Sequence, residues 1–346
     1  MNKIEYGMKL DFNNVLIRPK RSVINSRSEI DLSRRFKFRH SPIEWTGVPI
    51  MSANMDTTGT LNIYSVLKEY SIITALHKFY DVQDFLDFKE HSELDPNYFM
   101  ISTGISDRDY DKLNRILSEV ECNWICVDIA NGYIKNLVDF CKKVREKYPN
   151  KIIVAGNVVT REMVEELILE GGVDIVKVGI GPGSACTTRL KTGVGMPQLS
   201  AIIECSDAAH GVNGHIISDG GITCPGDMAK AFGGGADFVM VGGQFAGHDE
   251  NPGDIIEIDG KKMKQFHGMS SERAQKIHFG SMEKYRASEG RVLNIPYRGS
   301  LHVTLQDYLG GLRSTCTYIN AINIKKMPKC TTFIQVSQQL NNYFGG

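Results

Sequence analysis

One of the eight cysteines lies among residues that could do nucleophilic chemistry. Cys186 belongs to the glycine-rich segment 179–195, GIGPGSACTTRLKTGVG, and is followed by Thr187, Thr188 and Arg189. A nearby guanidinium and hydroxyl groups favour the thiolate over the thiol, and the thiolate is the form that attacks electrophiles. The pattern therefore predicts that Cys186 is a nucleophile, with a small buried cysteine in an irregular loop as the alternative.

The glycines around Cys186 match neither of the common phosphate-binding loops. A dinucleotide fingerprint, G-x-G-x-x-G, would need a third glycine where Ser184 stands, and no apolar helix pattern follows it. A P-loop would need G-K-[ST], which this segment lacks. We therefore interpret the segment as a backbone-rich loop that holds a thiol. Its carbonyls would also suit a monovalent cation, since hard cations prefer oxygen ligands.

Two more glycine pairs follow apolar runs, in residues 219–222 (DGGI) and 242–243 (GG). Backbone N–H groups of glycine can approach an anion closely, and barrel enzymes build phosphate sites from loops of this kind. These residues therefore predict a phosphate site. Asp219 would repel a phosphate, so we expect it to bind a pair of ribose hydroxyls. The alternative is two tight turns that need glycine only for a positive φ.

A long polar segment, residues 266–291, supplies a third set of groups. Ser270 and Ser271 can donate hydrogen bonds to a phosphate or ribose, and Tyr285 can donate to a phosphate. Glu289, in a Ser-Glu-Gly turn, can bind a purine edge or move a proton. The alternative is a solvated charged loop, which is the expected state of most lysines and arginines here.

Eight short β-rich runs would position these groups. Most begin roughly 25 residues after the previous one, which leaves room for a strand, a turn, a helix and a turn. Helical patterns fill the gaps, as in residues 136–145 and in Arg161–Leu169, where Thr160 suits an N-cap and Gly171 a stop. The pattern predicts an α/β fold, a (β/α)8 TIM barrel with long active-site loops after strands 6 and 8; a doubly wound open sheet is the alternative. The eight runs are residues 48–54, 72–78, 98–104, 124–132, 151–158, 174–183, 215–221 and 237–243.

Composition narrows the class of protein further. Lys+Arg and Asp+Glu are equal at 40 each, so charge gives no reason to expect a nucleic acid or a membrane as partner. The sequence shows no apolar run of membrane-spanning length, no signal-peptide core and no zinc-type cysteine spacing. We therefore expect a cytoplasmic protein in which the other seven cysteines are reduced and behave as small apolar residues.

Several motifs together resemble one family. GIGPGSACTTR, SDGGI, VMVGG and HGMSS are similar to motifs of the IMP dehydrogenase/GMP reductase family, and the similarity extends from LDFNNVLIRPKRS to LRSTCTYINA. The resemblance implies a single (β/α)8 catalytic domain over residues 1–346, a nucleotide at its C-terminal face and a homotetramer. HKFYDVQDFLDF leads directly to the third strand candidate, which leaves no room for the regulatory CBS insertion usual in the dehydrogenases.

Of the two activities in this family, the motifs favour the reductase. HGMSSERAQ and YRASEGR resemble GMP reductases, and residues 191–214 lack the Arg-Tyr flap pair of the dehydrogenases. The resemblance implies NADPH-dependent reductive deamination of GMP to IMP and ammonia. Cys186 would attack C2 of the purine, and Thr188 and Glu289 would supply a proton to the leaving ammonia. Alternatives are an IMP dehydrogenase without the insertion, a flavin- or phosphosugar-binding barrel, and a non-catalytic nucleotide-binding regulator.

The resemblance also implies three sets of binding residues by matching position, with some cofactor contacts from a neighbouring subunit. By residue type alone, Ser26, Arg27 and Lys78 would be solvated surface groups or anchors for a cofactor phosphate. The GMP set is Asp219, Gly220, Gly221, Gly242, Gly243, Gly268, Met269, Ser270, Arg286, Ala287, Ser288, Glu289 and Gly290. The NADPH set is Ser26, Arg27, Lys78, Asp128, Ile129, Ala130, Ile180, Gly181, Tyr285, Ser314, Thr315, Cys316 and Thr317. The potassium (K+) set is Gly181, Gly183, Cys186 and Arg189.

Overall fold

The computed structural model describes residues 4–269, 271 and 289–337. Eight parallel strands pair side by side, and the last pairs with the first, so the sheet closes into a barrel. Each strand falls within a predicted run, which confirms the (β/α)8 TIM barrel and excludes the open sheet. In chain order the strands are β1 (Val15–Ile17), β2 (Arg34–Lys37), β3 (Glu44–Gly47), and the barrel strands β4 (Ile50–Ser52), β5 (Ile73–Leu76), β6 (Phe99–Thr103), β7 (Trp124–Asp128), β8 (Ile152–Val158), β9 (Ile175–Val178), β10 (His215–Asp219) and β11 (Phe238–Val241).

Helices alternate with the barrel strands, as the sequence predicts. Parallel barrel strands are covered on both faces, which is why they read as nearly continuous apolar runs. Within the described ranges, no helix combines the length and the apolar character that crossing a membrane requires. The helices are α1 (Leu61–Leu67), α2 (Val82–Lys89), α3 (Asp107–Glu119), α4 (Lys135–Lys147), α5 (Arg161–Leu169), α6 (Thr188–Thr192), α7 (Gln198–Gly211), α8 (Pro225–Gly233), α9 (Leu301–Ile319) and α10 (Met327–Cys330).

The ends of α5 differ in detail from the prediction. Thr160 occupies the N-cap position, but its hydroxyl accepts a hydrogen bond from Tyr133 at 3.2 Å and none from the helix. At the other end Gly172, not Gly171, adopts the left-handed conformation, with φ of +68°. A side chain at position 172 would also meet Arg145 at 2.8 Å, so both conformation and packing require glycine one residue later than expected.

The antiparallel hairpin of β2 and β3 closes the amino ends of the barrel strands. The ring of Phe36 stacks on Phe238 with 4.3 Å between centroids, and Trp45 meets Trp124 edge to face at 5.7 Å. Phe238 and Trp124 each begin a barrel strand. This aromatic layer fills the lower end of the barrel and leaves the carboxyl ends of the strands as the open face.

The segment after β11 corrects one prediction. A long active-site loop is expected after the eighth barrel strand, where residues 244–301 are mostly polar, but part of this segment forms an antiparallel sheet of β12 (Ile256–Ile258), β13 (Lys261–His267) and β14 (Val292–Pro296). Asp259 and Gly260 join β12 to β13 with φ of +51° and +74°. An Asp-Gly pair between two alternating runs is a strong hairpin signal, so the sequence contained this information. A final strand, β15 (Phe333–Gln335), pairs antiparallel with β1.

Candidate active site

A cavity of about 570 Å³ opens at the carboxyl ends of the barrel strands. Barrel enzymes build their active sites on this face from the loops that follow the strands. Residues predicted from all three sets line it together, so the structure brings the proposed catalytic, substrate and cofactor groups to one place. They are Cys186, Thr188, Glu289, Asp219, Gly220, Gly221, Gly242, Gly243, Gly268, Met269, Gly290, Lys78, Asp128, Ile129, Ala130, Ile180, Gly181 and Gly183.

Three of these side chains form a chain of hydrogen bonds. The thiol of Cys186 donates from Sγ to Oγ1 of Thr188 at 3.3 Å, and the Thr188 hydroxyl donates to Oε2 of Glu289 at 2.7 Å. A hydroxyl can accept one proton while it donates another. Thr188 can therefore pass a proton between the thiol and the carboxylate. The three predicted catalytic residues thus lie along one path for proton transfer.

Backbone hydrogen bonds hold the side chains of Cys186, Thr188 and Glu289 in place, although Glu289 lies far from the other two in sequence. The amide of Cys186 donates to the carbonyl of Gly183 at 3.0 Å, which closes a tight turn around the thiol. The amide of Thr187 donates to the carbonyl of Glu289 at 2.8 Å, and Cys186 pairs with Gly290 in an antiparallel bridge. These bonds tie the loop after β9 to the strand segment before β14, so the thiol and the carboxylate face each other.

Arg189 occupies a different position from the one that the sequence suggests. Its guanidinium lies 3.4 Å from the carboxylate of Asp11 and donates to the carbonyl of Met196 at 2.6 Å. Its aliphatic part packs where a side chain at position 181 would lie. Because those acceptors engage the guanidinium, the polar partner of the thiol in this structure is Thr188.

The glycine loops after β10 and β11 face the same cavity. Gly220 and Gly221 have φ of +93° and +80°, and a side chain at position 220 would meet Pro182 at 2.9 Å. Glycine is therefore required here both for conformation and for close packing. Gly242 and Gly243 line the cavity beside them. The alternative of a turn that needs glycine for a positive φ is thus confirmed for Gly220 and Gly221 but not for Gly242, whose φ is −100°. The phosphate site at these loops stays a prediction, since successive backbone N–H groups at such turns can form anion-binding concavities.

A buried lysine that sequence reasoning missed lies at the floor of the cavity. Nζ of Lys177, in β9, donates to Asp128 at 2.6 Å and to Asn54 at 3.2 Å, and lies 3.3 Å from Asp219. Asp219 also accepts from the side-chain Nδ2 of Asn157 at 2.8 Å. The signal was present, because a lysine inside the apolar strand pattern DIVKV must be buried and therefore needs acid partners.

The charges of this cluster stabilise one another. Burial opposes the charge on Lys177, but Asp128 and Asp219 outweigh it, so the pKa of Lys177 is raised above its usual value. Burial likewise opposes the charge on Asp128, but Lys177 outweighs it and the pKa of Asp128 is lowered. Lys177 and Asp128 are therefore both ionised at neutral pH.

The other cysteines contrast with Cys186, which is partly exposed. Five of them are buried. Burial raises the pKa of Cys122, Cys126, Cys205 and Cys316 to about 12, so these thiols stay protonated at neutral pH. Burial also raises the pKa of Cys141. The expectation that the other seven behave as small apolar residues fits the five buried ones, whereas Cys224 is exposed and Cys330 is half-buried.

Several predicted residues lie elsewhere or outside the described ranges. Ser26 caps the short helical turn Arg27–Glu29, which packs against α9, and α9 carries Ser314, Thr315, Cys316 and Thr317. These two groups thus lie near each other but not along the cavity of this chain. Residues outside the part that the structure describes are Ser270, Tyr285, Arg286, Ala287 and Ser288.

Comparison with known proteins agrees with this geometry. The IMP dehydrogenase / GMP reductase domain matches residues 9–341. The chain is 55% identical to a GMP reductase of Caenorhabditis elegans over 346 residues, covering 99% of this chain and 96% of that one. It is 55% identical to a GMP reductase of Aliivibrio salmonicida and 56% identical to one of Yersinia enterocolitica, each over 345 residues and 99% of both chains. The chain therefore belongs to the IMP dehydrogenase / GMP reductase family.

Proposed function

We propose that this chain catalyses the NADPH-dependent reductive deamination of GMP to IMP and ammonia. The observation that carries the proposal is the hydrogen-bonded chain from Cys186 through Thr188 to Glu289. It joins a nucleophile to a proton store, which is what covalent deamination of a purine needs. Relatives named GMP reductase that match nearly the whole chain support the same activity.

In the first half of the reaction, a proton leaves the thiol and returns on the leaving group. Thr188 accepts the proton of Cys186 and passes its own hydroxyl proton to Glu289. The thiolate then adds to C2 of the purine and forms a C–S bond. Glu289 returns the proton through Thr188 to the 2-amino group, which leaves as ammonia because protonation makes it a better leaving group. The purine is then bound to Cys186 as a thioimidate.

In the second half, the C–S bond is replaced by a C–H bond. NADPH, when bound, supplies the hydride that C2 accepts. Sulfur leaves with the electron pair of the C–S bond, so Cys186 returns as a thiolate and IMP is released. The residues proposed to hold the nicotinamide side, Asp128, Ile129, Ala130, Ile180 and Gly181, line the cavity that Cys186 faces, so they fit this role. Lys78 lines it too and offers a cation for a phosphate.

The GMP site would use the remaining cavity residues. We assign the ribose hydroxyls to Asp219 and the phosphate to the glycine loops after β10 and β11. Gly268, Met269 and Gly290 also line the cavity and would contact the base. Four further assignments to GMP, at Ser270, Arg286, Ala287 and Ser288, and that of Tyr285 to NADPH remain predictions, because these residues lie outside the described ranges.

We also assign a potassium ion to the carbonyls of the Cys186 loop. The carbonyl of Gly183 accepts from the amide of Cys186, and the carbonyl of Arg189 accepts from Gly193, which leaves each oxygen a second lone pair. The carbonyls of Gly181 and Cys186 complete the assigned set. Oxygen ligands of this kind suit a hard cation. The ion would stiffen the loop that carries the thiol and take no part in bond making.

Three broader parts of the proposal concern organisation. We propose one catalytic domain without an inserted module, because the chain between β5 and β6 carries only α2.

We propose a homotetramer in which Ser26, Arg27 and residues 314–317 serve the cofactor of a neighbouring subunit, since they lie away from the cavity of their own chain. A cytoplasmic location fits reduced cysteines and a nucleotide substrate.

The test is a pair of absorbance assays on the purified chain with potassium present. Incubation with GMP and NADPH should consume the reduced nicotinamide and release one ammonia for each NADPH. Incubation with IMP and NAD should produce no reduced nicotinamide. Reduction of NAD by IMP without GMP turnover would instead identify a dehydrogenase. Oxidation of NADPH at the same rate without GMP would overturn the proposal.

A further inference from the structure

Lys177 is placed at the meeting point of the two proposed ligand sites. It lies in β9, with its side chain inside the barrel and 2% exposed. Its ammonium has three N–H groups and three oxygen neighbours, from Asp128 at the end of β7, Asp219 at the end of β10 and Asn54 after β4. One buried cation therefore joins three separate parts of the cavity floor.

The two acids are more exposed to the cavity than Lys177 is. The side chain of Asp128 is 33% exposed and that of Asp219 is 20% exposed. Lys177 engages Oδ1 of Asp128 and Oδ2 of Asp219, one oxygen of each carboxylate. A ligand can therefore use the remaining capacity of each acid. Because the ammonium itself is engaged on all sides, its influence on a ligand must pass through these carboxylates.

We propose that Lys177 is a positioning residue that fixes both carboxylates at once, Asp219 for the nucleotide substrate and Asp128 for the dinucleotide. The inference rests on the proposed function, because it takes GMP and NADPH as the two ligands. Without Lys177, the two carboxylates would lose the one ammonium that contacts both of them. Repulsion between the two like charges would then favour turning the carboxylates away from each other, so neither would be held in the orientation in which it faces the cavity.

A purely structural role predicts something different. If the ion cluster only holds the barrel together, Lys177→Met should lower the stability of the fold, because it removes one partner of a buried ion pair. If Lys177 only filled space, Lys177→Met would leave the affinity for both ligands unchanged. If it positions the acids, Lys177→Met should weaken both ligands while either single acid variant weakens mainly one.

The experiment is equilibrium binding of GMP and of NADPH, each alone, by calorimetry on the full chain. We expect Lys177→Met to weaken each ligand by about tenfold, the loss of one charged hydrogen bond. Asp219→Asn should weaken mainly GMP, and Asp128→Asn mainly NADPH. Adding Lys177→Met to Asp219→Asn should weaken GMP no further, because non-additivity identifies residues that act through each other.

Lys264→Met is the matched control. Lys264 is also buried, but its ammonium donates to the carbonyls of His248 and Asn251, both at 2.8 Å, and to neither acid of the cavity floor. This variant should alter the melting temperature and leave both affinities unchanged. If Lys177→Met does not fold, Lys177→Gln keeps a donor, removes the charge and should give the same binding pattern.

The possible outcomes separate the two proposals. Failure of the wild-type chain to bind either ligand would overturn the proposed function and this inference with it. Normal binding by the wild-type chain with unchanged affinities in a folded Lys177 variant would overturn the role of Lys177 alone. Additive losses in the double variant would do the same, because they would show that Lys177 acts independently of the acids.

Discussion

The two ends of the barrel both bury carboxylates, but they satisfy them differently. At the lower end, Asp174 and Asp237 precede β9 and β11, and their side chains are 0% and 1% exposed. At the upper end, Asp128 and Asp219 close β7 and β10 and keep part of their surface in the cavity. Different strands of one barrel thus carry a closed set of acids at the lower end, on β9 and β11, and an open set at the upper end, on β7 and β10.

The closed set is fully engaged by protein groups. Asp237 accepts from Arg34 and His210, both at 2.8 Å, and from the amide of Ile216 at 3.1 Å. Asp174 accepts from Arg145 at 2.6 Å and from backbone amides. A buried acid with so many donors ties strands, helices and hairpin together and has no capacity left for a ligand. Such residues stabilise the fold.

Asp128 and Asp219, the open set, keep part of their surface for a ligand. Its acids are held on one side by Lys177 and left accessible on the other. A carboxylate that protein groups hold on one side can still accept hydrogen bonds from a ligand on its exposed side. The comparison therefore predicts that substitutions of the side chains that face the cavity change turnover more than stability, whereas substitutions at the lower end do the reverse. The predictions below run from the largest expected effect to the smallest.

Cys186→Ala should give the largest effect, with turnover reduced by at least about 10⁴-fold, because covalent catalysis fails without its nucleophile. GMP affinity and melting temperature should stay close to those of the wild-type chain. Cys224→Ala is the control, since Cys224 is exposed and lies outside the cavity, and it should keep full activity. Substantial turnover in Cys186→Ala, measured by NADPH absorbance, would contradict the assignment.

Glu289→Gln should lower kcat by about 10²–10³-fold, because glutamine accepts a hydrogen bond from Thr188 but cannot store its proton. The melting temperature should not change. Glu44→Gln is a matched substitution at the other end of the molecule, where Glu44 pairs with Lys37 at 3.1 Å. It should leave kcat unchanged. Equal kcat values for the two variants would show that the upper end has no special role in proton transfer.

Asp237→Asn, at the lower end of the barrel, should lower the stability of the fold and leave turnover unchanged. Removing one partner of a buried ion pair leaves Arg34 without its counter-charge, and we expect unfolding to become easier by about 3 kcal/mol. Chemical denaturation measures this loss, and kcat of the folded variant should match that of the wild-type chain. Asp207→Asn, which breaks an exposed pair with Arg161, is the control and should show no measurable change. A stable but inactive Asp237→Asn would contradict the division between the two ends.

The smallest effect should appear as a pH dependence of stability. Burial lowers the pKa of His215, but Asp237 outweighs it, so the pKa of His215 is raised, with Arg34 opposing and the Lys37 carbonyl assisting. Its stabilisation is complete below the unfolded pKa, near 6.5, and is lost as pH rises through the folded value. The stability advantage of the wild-type chain over His215→Asn, measured by chemical denaturation, should therefore be larger at pH 6 than at pH 8. No change in that difference between the two pH values would refute it.

The sequence predicts the barrel better than it predicts these networks. All eight barrel strands were recognisable because strands covered on both faces read as apolar runs. The glycine-rich loop around Cys186 was recognisable because its composition is local. By contrast, the partners of Lys177 are Asp128 and Asp219, which lie on other strands, and only the closed barrel brings them together.

Two other differences have physical causes. The polar composition of residues 244–301 suggested a loop, although the Asp259-Gly260 turn marked a hairpin between alternating runs. Arg189 was expected beside the thiol because it follows Cys186 closely in sequence. The chain turns between them into α6, which directs the guanidinium towards Asp11 instead. Closeness in sequence does not fix the direction of a side chain.

The most direct test of the central claim is to trap the purine on Cys186. The chain is mixed with GMP in the absence of NADPH, quenched with acid, digested and analysed by peptide mass spectrometry. The proposal predicts a nucleotide adduct on the peptide that contains Cys186, formed with release of one ammonia and absent from Cys186→Ala. The proposal would be contradicted if GMP released ammonia at the rate of catalytic turnover while that peptide stayed unmodified in every quenched sample.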